Sequence, residues 1–131
     1  TIMPMAPVMT RKTAEKFFDE PMDLDRIVGS NSFMIITHDV DPRSRDKMEL
    51  RGIMHKYPIV NKYSARPQIA RHDDKTLIEI LNRVEGNILI NTSFNTHGTP
   101  ILFTFEQAIS DFRKQAERDT QDRNILVVLK S

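Results

Sequence analysis

The stretch Asn91-Thr92-Ser93-Phe94-Asn95-Thr96-His97-Gly98 gathers small hydrogen-bonding side chains and a glycine directly behind the apolar run Ile88-Leu89-Ile90. Successive backbone N–H groups in such a turn can form an anion-binding concavity, and Ser, Thr and Asn side chains add neutral donors that match phosphate or carbamoyl oxygens. Ligands in α/β proteins gather beyond the C-terminal ends of strands, where this loop would lie. Asn91, Thr92, Ser93, Asn95, His97 and Gly98 are therefore candidate binding residues, although the same composition also makes an ordinary hydrogen-bonded loop. His38-Asp39-Val40-Asp41 and His72-Asp73-Asp74 contain metal-ligating residue types without a persuasive spacing. On a strand His38 and Asp39 would face opposite ways, and Asp73 or Asp74 suits a helix cap, so no metal site is assigned. No Ser occupies a nucleophile-elbow setting, and there is no Cys to serve as a thiolate.

The elements that must position this loop can be read from spacing. Thr10 suits the N-cap of a helix with Ala14, Phe17 and Phe18 on its apolar side. Phe33 to Thr37 reads as a strand of bulky and β-branched residues behind the turn Gly29-Ser30-Asn31-Ser32. Residues 39–57 are charged and aperiodic, with Pro42 and a basic cluster of Arg43, Arg45, Lys47 and Arg51, the pattern of a mobile excursion. Short strands are expected at Ile59-Val60-Asn61 and Ala65 to Ile69, with Pro67 at an edge or bulge. Asp73 or Asp74 caps a second helix carrying Leu77, Ile80, Leu81 and Val84, stopped by Gly86. Asn87 to Asn91 then reads as an interior strand, and Thr99 to Phe103 as extended chain. Thr104-Phe105-Glu106-Gln107 has the capping-box form ahead of a third helix lined by Phe105, Ala108, Ile109, Phe112 and Ala116. Ile125 to Leu129 is a closing strand. The expected class is α/β with a mixed sheet, in one domain spanning 1–131.

Composition narrows the partners. With 19 Lys plus Arg against 18 Asp plus Glu, the net charge of +1 provides no global field for nucleic acid or an anionic membrane, so any anion site must be local. The basic run at 43–51 lacks the interleaved aromatics of a nucleic-acid surface, and nucleic acid is not an expected partner. The apolar start Thr1 to Met9 is broken by Pro4 and Pro7 and followed, not preceded, by Arg11 and Lys12, unlike a signal peptide. Zero Cys fits a reducing, cytoplasmic compartment, and no apolar run approaches the ~20 residues of a membrane span.

A family resemblance sharpens these expectations. Ile88-Leu89-Ile90-Asn91-Thr92-Ser93-Phe94-Asn95-Thr96-His97-Gly98-Thr99-Pro100-Ile101 is similar to the L-L-N-T-S-F-N-x-x-G-x-P-I signature near the end of O-carbamoyltransferases of the nodulation and tobramycin type. Thr104-Phe105-Glu106-Gln107-Ala108 resembles their T-P-E-D-A continuation, and Ala65-Arg66-Pro67-Gln68 resembles their A-R-V-Q segment at a fitting distance upstream. Met3-Pro4-Met5-Ala6-Pro7-Val8 is similar to the family's R-P-F-A-P-V, and Ser32-Phe33-Met34 to its S-P-F-M. Three departures stand out. Lys62-Tyr63-Ser64 replaces D-G-T, Met3 replaces an Arg, and His97 lies where an Arg often follows the second Asn.

The resemblance implies a YrdC-like domain, a twisted mixed sheet flanked by helices, that converts carbamoyl phosphate and ATP, the latter expected with Mg, to carbamoyladenylate. A partnering N-terminal metal-containing domain would transfer the carbamoyl group to an acceptor hydroxyl. The chain is thus expected to be part of a longer protein or the partner of such a domain, and weakly active alone. Arg66 is the implied catalytic clamp, since a guanidinium holds phosphate-like oxygens bidentately while neutralising charge. Ser93, with Asn91 and Asn95, would fix phosphate and carbamoyl groups by neutral hydrogen bonds. The alternatives are a surface ion pair for Arg66 and, for the whole chain, a non-catalytic regulatory module that binds a nucleotide or a carbamoyl ligand.

Overall fold

The computed structural model describes residues 5–19, 30–92, 98–118 and 126. The chain divides into two compact units, Thr1–Thr92 and Ser93–Ser131.

The first unit opens with strand β1 (Ala6–Met9) and helix α1 (Arg11–Phe17). Thr10 caps α1 as its composition suggests, its hydroxyl accepting from the Thr13 N–H at 3.3 Å. Ala14 and Phe17 are buried by the helix, and Phe18 is buried just beyond it. Four short strands follow: β2 (His38–Asp39), β3 (His55–Lys56), β4 (Tyr63–Ala65) and β5 (Gln68–Ile69). Helix α2 (Lys75–Arg83) is capped by Asp74, whose Oδ1 accepts from the Leu77 N–H at 3.2 Å. Gly86, at φ 73°, then takes the left-handed conformation that lets the chain leave α2 and enter β6 (Ile88–Asn91).

These strands form two sheets with mixed pairing. In one, β1 is central, parallel to β5 and antiparallel to β6, with Val8 opposite both Gln68 and Leu89 and Ala6 opposite Asn91. In the other, β4 lies between β2 and β3, antiparallel to both. The architecture is α/β, with parallel and antiparallel strand pairs and helices, as expected. Its core gathers Met9 from β1, Ala14, Phe17 and Phe18 from the α1 region, Val40, Leu50, Ile53, Ala65 and Ile69. Burying large side chains of this kind stabilises a fold by roughly 1.5–3 kcal/mol each, which is why strands of two or three residues persist.

The interval 39–57 is not the excursion its charge pattern suggests. Val40, Leu50 and Ile53 are core residues, and the chain between them is folded into tight turns. Asp41 organises the first turn. Its carboxylate accepts from the Arg43 backbone N–H at 2.9 Å and from the Arg43 Nε at 3.0 Å, while the Ser44 hydroxyl donates to the Lys16 carbonyl of α1 at 3.0 Å. Lys47 lies over the Phe17 ring. Apolar residues so widely spaced leave no period to read, yet each is anchored by a local turn.

Two other expectations are corrected. Phe33 to Thr37 forms no strand: a 3-10 turn covers Ser30–Phe33, and Met34 is left-handed at φ 57°, a conformation that interrupts any ladder. Phe33 and Ile35 stay exposed, so the run's bulk reflects composition and not pairing. Ile59-Val60-Asn61 is likewise not a strand but the turn of the β3–β4 hairpin, closed by the Tyr57 N–H donating to the Lys62 carbonyl at 2.9 Å. Ile59 there is 96% exposed. The expected strand from Ala65 to Ile69 is split at Arg66-Pro67 into the end of β4 and all of β5, which belong to different sheets.

In the second unit, helix α3 (Phe105–Arg118) begins with the expected reciprocal cap. The Thr104 hydroxyl accepts from the Gln107 N–H at 3.2 Å, and the Gln107 side-chain oxygen accepts from the Thr104 N–H at 3.1 Å. Ala108, Ile109, Phe112 and Ala116 are half-buried, while Phe105 is exposed. The closing strand expected at Ile125 to Leu129 lies outside the described residues, apart from Leu126.

The Asp41 turn carries a pH signature. Hydrogen bonds from the Arg43 side chain, then from its backbone N–H, hold the Asp41 carboxyl below the usual carboxylate range. A carboxyl depressed in the folded state stabilises the fold above its unfolded-state pKa, and that contribution is lost as pH falls through the lower folded value. Thermal unfolding followed from pH 7 downward should therefore show part of the parent chain's loss below pH ~4 missing in Asp41→Asn. Equal acid slopes for the two proteins would contradict this role.

Candidate functional site

The residues with potential chemistry gather around one end of β1. Ala6 pairs with Asn91 on one side, and Val8 pairs with Gln68 on the other. Ala6 and Val8 share a sheet face, so their partners Gln68 and Asn91 do too, and the two amides meet across β1. The Asn91 Nδ2 donates to the Gln68 Oε1 at 2.6 Å and also approaches the Met34 Sδ at 3.5 Å. A methyl group at Ala6 leaves room for that bridge. The amide donor of Asn91, expected to meet a ligand, thus fastens β6 to β5 over the central strand.

Beside this bridge lies a cavity of about 300 Å³ lined by Met5, Ala6, Thr37, Ile53, His55, Ala65 and Arg66. Its floor is apolar, with Ile53 and Ala65 buried, and its polar groups are the side chains of Thr37, His55 and Arg66 at the exposed mouth. Among the described residues no carboxylate lines it. Arg66 stands between the end of β4 and the start of β5, ahead of the buried Pro67. A residue preceding proline is restricted to extended backbone, which limits where the guanidinium can be directed. Among the described residues Arg66 has no hydrogen-bond or ion-pair partner, so no described acid accounts for it as a surface ion pair.

The other expected site residues are distributed differently. Thr92 is exposed just beyond β6. Ser93, Asn95 and His97 lie outside the described residues. Gly98, in the second unit, has φ 83°, a left-handed conformation that side chains rarely adopt, so glycine is needed at that turn. The structure therefore brings Arg66 and Asn91 around one end of β1 through Ala6, which lines the cavity and pairs with Asn91. Sequence reasoning did not single out Thr37, Ile53 or His55, because they come from separate short segments and carry no shared spacing. Gln68 was visible as part of Ala65-Arg66-Pro67-Gln68 but had been given no role.

The candidate metal clusters dissolve into local structure. Asp74 is the α2 cap, Asp73 pairs with Arg71 at 3.1 Å, and Asp41 is held by Arg43. Among the described residues no three His, Asp or Glu side chains gather as a metal site. No helix among them is long and apolar enough to cross a membrane.

The strand order explains why three separated sequence segments belong together. Residues from Met5-Ala6-Pro7-Val8, Arg66-Pro67-Gln68 and Ile88-Leu89-Ile90-Asn91 meet on β1, β5 and β6, the segments that resemble carbamoyltransferases. A scan against protein families matches the carbamoyltransferase C-terminus over residues 1–126. The chain belongs to that family. Nothing among curated proteins matches it. Membership in the carbamoyltransferase C-terminus family makes transferase chemistry the frame in which the cavity is to be understood.

The Gln68–Asn91 bridge can be measured. Replacing either residue with Ala leaves the other amide short of a partner, and a double-mutant cycle on urea unfolding should give a coupling of about 1 kcal/mol. Additive effects would mean that the two amides do not depend on each other.

Proposed function

We propose that this domain holds carbamoyl phosphate and ATP while a carbamoyladenylate forms, as part of a carbamoyltransferase whose metal-containing N-terminal domain passes the carbamoyl group to an acceptor hydroxyl. The observation that carries the reading is the Arg66 guanidinium, unpartnered among the described residues and set on the wall of a cavity whose described lining has no carboxylate. An Arg used for stability finds an acid, as Arg43 does with Asp41. One left open beside a cavity is available to an anion.

The chemistry asks for such a group. Written to balance, carbamoyl phosphate, ATP and one water give carbamoyladenylate, phosphate and pyrophosphate, so two polyanions must approach before any bond is made. A fixed guanidinium lowers that repulsion and presents paired N–H donors to the oxygens where charge accumulates. A partly enclosed site strengthens the interaction relative to open water. Ser93 and Asn95 follow within four residues of Asn91, and the resemblance implies neutral contacts from them to phosphate and carbamoyl oxygens, while His97 stands where the family often has an Arg. Mg²⁺ brought in with ATP would neutralise further charge.

Replacing Arg66 tests the site. Arg66→Lys keeps the charge but loses the planar fork, and should weaken binding of carbamoyl phosphate or ATP by roughly 1–3 kcal/mol, with Arg66→Ala weaker still. The melting temperature should barely change, because the guanidinium has no described partner to lose. Titration calorimetry and thermal unfolding on the same proteins separate the readings. Unaltered affinity in both variants would refute the site, and a lowered melting temperature with unaltered affinity would make Arg66 structural.

A further inference from the structure

We infer that His55 is a second anion-binding residue of the Arg66 cavity, forming with Arg66 a two-sided cradle for a tetrahedral oxyanion. The inference rests on the reading of Arg66 given above and adds a residue to it. His55 sits on β3, opposite Ser64 of β4 in the antiparallel register. Arg66 lies two residues beyond Ser64, just past the end of β4. Both residues line the same cavity, as does Thr37, which contributes a neutral hydroxyl.

Three features make this pairing an anion cradle and not a chance neighbourhood. Neither His55 nor Arg66 has a hydrogen-bond or ion-pair partner among the described residues, so each retains its donors. Among the described residues the lining contains no acid to compete for them, while Met5, Ala6, Ile53 and Ala65 supply an apolar floor that limits hydration of whatever is bound. The volume of about 300 Å³ falls at the lower end of the ~300–1,000 Å³ range of small-molecule sites. A single phosphate-bearing group fits that space more closely than a whole nucleotide. A guanidinium binds two oxygens through its fork, and an imidazole N–H can reach a third from the other side. His55 would therefore decide which end of a phosphorylated ligand enters.

The probe is inorganic phosphate, which needs no carbamoyl chemistry, added to the full chain and followed by NMR at the His55 imidazole and the Arg66 guanidinium. Phosphate should shift both sets of signals with one dissociation constant. His55→Ala should weaken phosphate about tenfold, the effect of losing one hydrogen bond to a charged group, while His55→Gln keeps a donor and should recover part of it. The exposed position of His55 on a short strand should leave the melting temperature of both variants unchanged. If phosphate shifts the Arg66 signals but not those of His55, or both His55 variants bind phosphate like the parent, the cradle is wrong while the Arg66 site stands. If phosphate shifts neither residue, the cradle fails as well. If it shifts both but carbamoyl phosphate and ATP do not bind, the cradle stands and the proposed carbamoyl chemistry fails.

Discussion

The cavity depends on how the backbone leaves β4 and enters β5. Ala65 closes one sheet, Gln68 opens the other, and only Arg66 and Pro67 lie between. Pro67 is buried there and has no N–H, so this buried crossing leaves one fewer donor in need of a partner. It also confines Arg66 to extended backbone, which holds a flexible side chain to one side of the break. From that point β5 runs parallel to β1, β1 pairs with β6, and the Gln68–Asn91 bridge ties the outer strands together. The same short crossing thus ends a ladder, joins two sheets and leaves a cation at a cavity.

Two arginines show how similar residues are put to different uses. Arg43 closes a turn on its own near neighbour Asp41, and the pair carries a basic-looking segment into the core through Val40 and Leu50. Its charge is already answered. Arg66 has no described acid, and a net charge of +1 gives the molecule as a whole no pull on anions. Attraction for a phosphorylated ligand must then be short-ranged and arise from the cavity itself, since salt screens exposed charges beyond about 10 Å.

What could be read from sequence was what local chemistry determines. Thr10, Asp74 and the Thr104–Gln107 box each act within one helical turn, and each caps its helix as read. The α2 stripe and Gly86 were legible for the same reason. Misreadings fell where pairing is non-local. Phe33 to Thr37 and Ile59-Val60-Asn61 have the composition of strands, but a left-handed Met34 and a hairpin turn remove them from any ladder. Leu50 and Ile53 were hidden among charges because isolated core residues on short turns leave no period. Among the candidate site residues, Asn91 was suggested by the composition of its loop and Arg66 by family resemblance. His55 was not, because its relation to Arg66 exists only in the register between β3 and β4.

The central claim is that the Arg66 cavity is where the phosphorylated substrates meet the chain. A crystal of the protein soaked with carbamoyl phosphate and ATP would test this most directly. The account expects density for a phosphate-bearing group against the Arg66 guanidinium, at the end of β1 bounded by Ala6 and His55. Ordered ligand bound elsewhere on the chain, with that cavity filled only by solvent, would contradict it.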